Sequence, residues 1–176
     1  AGQSTQLIVG AAQETDLQII RLSNHFYKDY GLKRVFYSGY VPMLNDNRLP
    51  AIGTPVPMVR EHRLYQSDWL LRFYGFDAEE ILPDDHPFLD LDCDPKLAWA
   101  IRHREHFPVN IQIAPYKMII RIPGIGTRTA KKIMKARKFT TLTLDHLKQL
   151  GCADNRAKYF VAFRRPNEHH SHLTQE

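Results

Sequence analysis

Near the start of the chain the hydrophobic positions change from a strand pattern to a helical periodicity and back again. Residues 7–9 form a continuous apolar run that ends at Gly10, which is typical of a buried strand followed by a turn. From residue 14 the apolar side chains recur at helical spacing as far as Gly31, and residues 34–40 are again β-branched and aromatic. The order strand, helix, strand predicts a parallel βαβ unit.

A long loop separates this unit from the next helix. Residues 42–57 contain four prolines, and such loops beyond the ends of parallel strands often line active sites. The apolar side chains of residues 60–74 predict a helix that stops at Gly75. Residues 82–94 are acidic and contain proline, which predicts a linker, and residues 95–103 predict a short helix.

The last third of the chain has only helical periodicity. Helices are predicted from Pro115, over residues 127–138, over residues 144–150 and over residues 154–163. The tail beyond residue 165 has no periodicity and is predicted to be disordered.

These patterns divide the chain into four segments. The expected fold is an incomplete α/β part over residues 1–81, then an acidic linker with a short helix over residues 82–108. An all-α domain over residues 109–165 and a disordered tail over residues 166–176 complete the prediction.

Charge is distributed unevenly along the chain. Residues 1–113 hold 11 Lys and Arg against 15 Asp and Glu, whereas residues 114–165 hold 13 Lys and Arg against two acidic residues. A basic segment favours an anionic partner such as nucleic acid, and a solvated basic surface without a partner stays the alternative.

Cysteine content and hydropathy limit the kinds of site and the cellular compartment that the sequence predicts. Cys93 and Cys152 lie 59 positions apart, which gives neither a disulfide framework nor metal-ligand spacing, so the sequence predicts no metal site. No apolar run approaches the roughly 20 residues that span a bilayer, and the N-terminus lacks a secretory signal. The expected location is therefore the reducing cytoplasm, with no membrane partner. The first residue is Ala1 rather than Met, which favours a processed or truncated start.

A glycine hairpin in the basic segment carries the clearest chemistry. The glycines of Pro-Gly-Ile-Gly permit a tight turn into a helix N-terminus, where N–H groups and the positive end of the helix dipole suit a phosphate. Ile125 is expected to turn inward and anchor the hairpin. The predicted DNA-binding residues are Pro123, Gly124, Ile125, Gly126, Thr127, Arg128, Thr129, Lys131 and Lys132.

Residues 109–115, the hairpin, Ala130 and Ile133 together resemble the helix-hairpin-helix family, especially the version in competence proteins that bind duplex DNA. The resemblance implies contacts to the DNA backbone without sequence reading. It assigns phosphate contacts to Gly124, Gly126, Thr127, Arg128 and Lys131. Gln112 stands where those relatives commonly have a capping Asn, so the entry to the first helix is expected to differ.

Residues 7–16, 37–57 and 60–76 resemble the late strands and closing portion of a radical S-adenosylmethionine barrel. With the hairpin, nearly the whole chain is similar to the C-terminal part of the radical S-adenosylmethionine DNA modification or repair proteins. In that family such a barrel precedes a C-terminal helix-hairpin-helix. Within the barrel the resemblance suggests candidate residues for a cofactor or substrate pocket: Gln3, Ser4, Gln6, Gly10 and Tyr40.

One departure from that family concerns activity. Its enzymes hold a [4Fe–4S] cluster with three cysteines spaced C-x3-C-x2-C, and this chain has no such motif. The chain is therefore a fragment or a degenerate relative, and it is expected to be inactive alone. S-adenosylmethionine and the cluster are implied only for a full-length relative, whose cluster-bearing half is a candidate partner.

Two other functions compete with this interpretation. A stand-alone DNA-binding or protein-docking hairpin module would need no catalysis, but it would not need a βαβ unit either. A DNA glycosylase would use an Asp after the hairpin, for which Asp145 is the candidate. Thr143-Leu144-Asp145 is better explained as the start of a capped helix.

Overall fold

The computed structural model describes residues 2–43, 45–53 and 55–163. It divides into two compact units, a first unit of Ala1–Trp99 and a second unit of Ala100–Glu176. None of the helices within the described ranges is both long and apolar enough to cross a bilayer.

The first unit begins with the predicted strand, helix and strand. Its elements are β1 (Ser4–Val9), α1 (Asp16–Asp29), β2 (Arg34–Gly39), α2 (Met58–Phe73), α3 (Ala78–Ile81) and α4 (Pro95–Arg102), which crosses the unit boundary. The strands pair in parallel, with Ser4 opposite Arg34 and Val9 opposite Gly39. A capping box starts α1, because Thr15 Oγ1 accepts the N–H of Gln18 and the Gln18 side chain accepts that of Thr15.

The two-stranded sheet has one covered face and one open face. Val9, Val35 and Tyr37 are buried on the face against which the helices pack. On the opposite face Ile8 is 51% exposed and Phe36 is 40% exposed. Parallel sheets are normally covered on both faces, so this one presents apolar side chains where a buried layer is expected.

The two edges of the sheet also differ. Backbone groups of successive strand residues point to opposite sides, and the odd-numbered residues of β2 point away from β1. Their N–H groups donate to side chains of the helices: Val35 to Tyr27 Oη (2.9 Å), Tyr37 to Tyr65 Oη (3.0 Å) and Gly39 to Glu61 Oε2 (3.1 Å). The outer edge of β2 is thereby closed. Within the described ranges, no second strand pairs with β1 along its outer edge.

The acidic segment predicted as a linker packs on the first unit. Asp16 Oδ2 accepts the N–H of Leu89 at 2.9 Å, and the N–H of Leu17 donates to the carbonyl of Pro87 at 3.0 Å. The second carboxylate oxygen of Asp16 accepts Arg60 Nε at 2.7 Å. The compact units divide after Trp99, so residues 82–94 belong to the first unit. The buried carboxylate of Asp16 holds residues of this unit that are distant in the sequence.

The described part of the second unit contains one 3-10 helix, four further α-helices and a short strand pair. Its elements are a 3-10 helix (Arg104–His106), β3 (Val109–Asn110), α5 (Tyr116–Ile119), α6 (Thr127–Ala136), α7 (Leu144–Gln149), α8 (Asp154–Ala157) and β4 (Val161–Ala162). Val109 pairs with Val161 in parallel. The helix predicted over residues 154–163 is therefore shorter than expected. The segment 109–165 is also not purely helical, because β3 near its start pairs with β4 near its end.

The core of the second unit is built mainly from isoleucine and leucine. The buried side chains include Ile111, Ile119, Ile120, Ile122, Ile125, Ile133, Leu142 and Leu147.

Helix α5 ends early. The N–H groups of Arg121 and Ile122 donate to carbonyls three residues earlier in the chain, which tightens the last turn before the hairpin.

Candidate nucleic-acid interface

The hairpin between α5 and α6 is a tight turn anchored from inside. Gly124 has a φ of +86°, a conformation that favours glycine. The N–H of Ile125 donates to the carbonyl of Ile122 at 3.1 Å. The Ile125 side chain is 1% exposed, as predicted for the anchor.

A second hairpin, which the sequence analysis missed, packs against the first. Gly151 has a φ of +88° between α7 and α8. The N–H of Ala153 donates to the carbonyl of Gly124 at 3.1 Å, and Thr129 Oγ1 donates to the carbonyl of Gly151 at 3.2 Å. A Cβ placed on Gly124 would lie 2.7 Å from the Ala153 carbonyl oxygen, so the first glycine permits this close approach.

The two hairpins repeat at a spacing of 27 residues. Gly124 corresponds to Gly151, and buried Ala130 corresponds to buried Ala157. The second turn, Leu-Gly-Cys-Ala, lacks the proline and the second glycine of the first. The spacing of glycine and alanine was the available signal for it.

The N-terminus of α6 is open to an external acceptor. Its N-cap residue is Gly126, which has no side chain, and no side-chain cap is made. The first N–H groups of a helix lack partners within the helix. Gly126 itself has a φ of −88°, which other residues also adopt. The end of α6 thus presents backbone donors and the positive end of a ten-residue helix dipole.

Exposed cations follow this N-terminus along the outer face of α6. Arg128, Lys131, Lys132 and Lys135 are exposed, whereas Ala130 faces the core. Helix α6 contains no acidic residue. Among the described residues, no carboxylate pairs with any of these four cations, so their charge is available to a bound anion.

Other polar side chains of the segment are engaged internally. Thr129 is 7% exposed and donates to Gly151, so its hydroxyl is not directed at a phosphate. Arg137 donates to the carbonyls of Ile111 and Ala114. Arg121 is 1% exposed and donates to the carbonyl of Lys117 at 3.0 Å. Part of the basic charge therefore holds the fold together.

Gln112 connects the entry of the unit to the far end of α6. Its Nε2 donates to the carbonyl of Arg137 at 3.0 Å, and its Oε1 accepts the N–H of Leu142 at 3.0 Å. Asn110 caps the local turn instead, since its Oδ1 accepts the N–H of Gln112 at 3.1 Å. Gln112 thus has a structural role that differs from a helix cap.

The candidate pocket residues of the first unit do not form one cluster. Gly10 and Tyr40 each follow the carboxyl end of a strand, where the N–H of Tyr40 donates to the carbonyl of Val9. Gln3 and Ser4 lie at the opposite end of β1. Gln6 lies between these two ends, and its Nε2 donates to Ser38 Oγ at 2.8 Å. Ligands of parallel sheets bind at the carboxyl ends, which leaves Gly10 and Tyr40 as the better-placed pair.

Two remaining predictions concern the start of α7 and the C-terminal tail. Thr143 caps α7 by accepting the N–H of His146, as the capping interpretation predicted, and Asp145 is an exposed residue of the first turn. The tail predicted to be disordered, which includes His169, His170 and His172, lies outside the described residues.

Comparison with known proteins gives a partial similarity. The chain is 30% identical over 102 residues to the Holliday junction branch migration complex subunit RuvA of Stutzerimonas stutzeri (strain A1501). The aligned region covers 56% of this chain and 50% of that protein, so the chain spans about half the length of the curated relative it matches. No protein-family model and no solved structure matches the chain.

Proposed function

We propose that the second unit binds DNA, through phosphate contacts at the hairpin between α5 and α6. The observation that carries this proposal is the uncapped N-terminus of α6 beside four exposed cations that have no carboxylate partner among the described residues. The similarity to RuvA supports it, because the name of that relative places it on Holliday junctions, which are DNA.

Two kinds of contact act together in this proposal. The backbone N–H groups at Gly126 and Thr127 and the helix dipole hold one phosphate at the hairpin. Arg128, Lys131 and Lys132 reach phosphates on either side of it, while Thr129 and Ile125 support the hairpin from inside. Backbone contacts of this kind carry no base information, so binding has little sequence preference and weakens as salt rises.

We propose further that the first unit is the closing part of a radical S-adenosylmethionine-type barrel. The support is the asymmetry of its sheet: the outer edge of β2 is closed by side chains, whereas β1 has no second partner in the described chain. Isolated two-stranded sheets are marginal. A cluster-bearing half would add its strand at the outer edge of β1 and cover Ile8 and Phe36.

The chain's own residues do not fit the iron–sulfur cluster of that family. Three thiolates are needed, and Cys93 and Cys152 are the only cysteines. We therefore assign no catalytic step to this chain. In this proposal it contributes the DNA-anchoring portion of a modification or repair protein.

The test is a titration of fluorescent duplex DNA at low and high salt. The triple variant Arg128→Gln/Lys131→Gln/Lys132→Gln should bind at least 100-fold more weakly at low salt and show a shallower salt dependence, because fewer counterions are released. The matched control Lys28→Gln/Lys33→Gln/Arg34→Gln removes the same charge from exposed residues of the first unit and should retain most of the affinity.

Equal losses in both triple variants would mean that total charge, not the hairpin, drives binding. No binding by the unmodified chain would leave protein docking as the function of the hairpin. A junction substrate measured beside the linear duplex distinguishes a preference for DNA shape from general backbone binding.

A further inference from the structure

Three potential metal ligands converge at the 3-10 helix that opens the second unit. The ligand atoms of His103, Glu105 and His106 all lie within 4.8 Å of one another. Glu105 Oε1 is 3.2 Å from His103 Nδ1 and 3.7 Å from His106 Nε2. One carboxylate oxygen therefore lies within 3.7 Å of an imidazole nitrogen of each histidine in this turn.

The backbone holds these residues in one turn. The N–H of His106 donates to the carbonyl of His103 at 3.1 Å, and the N–H of Phe107 donates to that of Arg104 at 3.0 Å. The imidazole rings of His103 and His106 are near-parallel, with centroids 5.9 Å apart. Both rings thus lie on the same side of the turn as the carboxylate.

The ligand spacing is close to that of a tetrahedral site. Zinc bonds of about 2.0–2.1 Å to nitrogen and oxygen place neighbouring ligand atoms about 3.3 Å apart in a tetrahedron. The two carboxylate–imidazole distances, 3.2 and 3.7 Å, are near that length. The remaining imidazole pair needs only side-chain rotation, because all three residues are at least partly exposed.

We propose that His103, Glu105 and His106 bind one divalent cation of the borderline class, Zn²⁺ or the chemically similar Co²⁺ and Ni²⁺. Imidazole nitrogen suits these ions, whereas Mg²⁺ and Ca²⁺ prefer oxygen ligands throughout. Three protein ligands leave a fourth position to water, as in open zinc sites. The prediction of no metal site was based on the spacing of the two cysteines, whereas these ligands are two histidines and a glutamate in a single turn.

The ordinary alternative is a pair of ion pairs, in which Glu105 accepts from two protonated imidazoles. That arrangement needs protons on the same nitrogen atoms that a metal would occupy. The two accounts therefore differ in whether a metal ion displaces protons from His103 Nδ1 and His106 Nε2.

The test is a Co²⁺ titration followed by visible absorption, with Zn²⁺ added afterwards as a competitor. His169, His170 and His172 are first replaced by Asn in the full chain, because tail histidines are a second source of ligands. The proposal expects one equivalent of Co²⁺ with tetrahedral-type bands that Zn²⁺ abolishes.

Variants then locate the site. His103→Asn, His106→Asn and Glu105→Gln should each weaken Co²⁺ binding at least tenfold, with unchanged circular dichroism. The control His62→Asn, an exposed histidine of the first unit, should have no effect. Absence of saturable binding, or binding that survives both turn-histidine variants, overturns the proposal.

The metal site does not rest on the proposed DNA function. The triple variant Arg128→Gln/Lys131→Gln/Lys132→Gln should still bind Co²⁺ with unchanged affinity. Loss of metal binding in that variant would contradict the assignment to the 3-10 turn.

Discussion

The buried carboxylates of the first unit and the exposed cations of α6 in the second unit use charge in opposite ways. In the first unit the carboxylate of Asp16 is buried and accepts from Arg60, and Asp68 is paired with Arg72 on α2. Along α6 in the second unit, the exposed cations have no carboxylate partner among the described residues. A charge with an internal partner stabilises the fold, whereas a charge without one can stabilise a complex. The comparison predicts that similar substitutions change unfolding in one unit and binding in the other.

The largest effect is expected for Asp16→Ala. This substitution leaves Arg60 and the N–H of Leu89 without their acceptor, and breaking a buried ion pair costs about 3–5 kcal/mol. Urea unfolding measures it by tryptophan emission, since Trp69 and Trp99 both belong to the first unit. Circular dichroism of the same samples follows the helices of both units. The matched substitution Lys131→Ala should change unfolding by less than about 0.5 kcal/mol. Equal effects of the two substitutions would contradict the comparison.

The next effect concerns the contact between the hairpins. Gly124→Ala should destabilise the second unit by about 2–4 kcal/mol, because its Cβ meets the Ala153 oxygen at 2.7 Å in addition to the positive φ. Thermal unfolding by circular dichroism measures the loss. Gly151→Ala is the control, since its φ of +88° is nearly the same but its Cβ meets only Thr129 Oγ1, at 3.9 Å. If both variants lose the same stability, backbone strain alone accounts for it and the close approach contributes nothing.

The smallest effect separates helix capping from phosphate binding. Gly126→Asp places a good N-cap at a φ of −88°, so α6 should gain about 0.5–1 kcal/mol while DNA affinity falls at least tenfold. The carboxylate occupies the N–H groups and repels a phosphate. Gly126→Asn caps without the charge and should lose less affinity, as fluorescence titration would show. Unchanged DNA affinity in both variants would move the phosphate site away from the hairpin.

Local patterns predicted the elements better than the partners of their side chains. The change of period identified β1, α1 and β2, and Pro-Gly-Ile-Gly identified the first hairpin, because these features depend on neighbouring residues. The packing of residues 82–94 on the first unit depends on Asp16, which is distant in the sequence. The pairing of β3 with β4 involves two-residue strands without a periodic signal.

The candidate site was also only partly predictable. Arg128, Lys131 and Lys132 lie on the outer face of α6 as expected. Thr129 was predicted to bind DNA and Arg137 contributes to the basic charge, yet both side chains donate to backbone carbonyls within the unit. Which carbonyl lies opposite each donor depends on the tertiary packing, which a local sequence pattern does not reveal. The second hairpin was not predicted, because its turn lacks the pair of glycines that marks the first.

The hydrogen bond from Ala153 to Gly124 has a consequence for how this domain can change over time. A side chain at Gly124 would displace the backbone of the second turn, so we expect this position to remain glycine. An insertion or deletion in either turn would move one partner of the hydrogen bond, so we expect both turns to keep their length. A change in one hairpin therefore requires a matching change in the other.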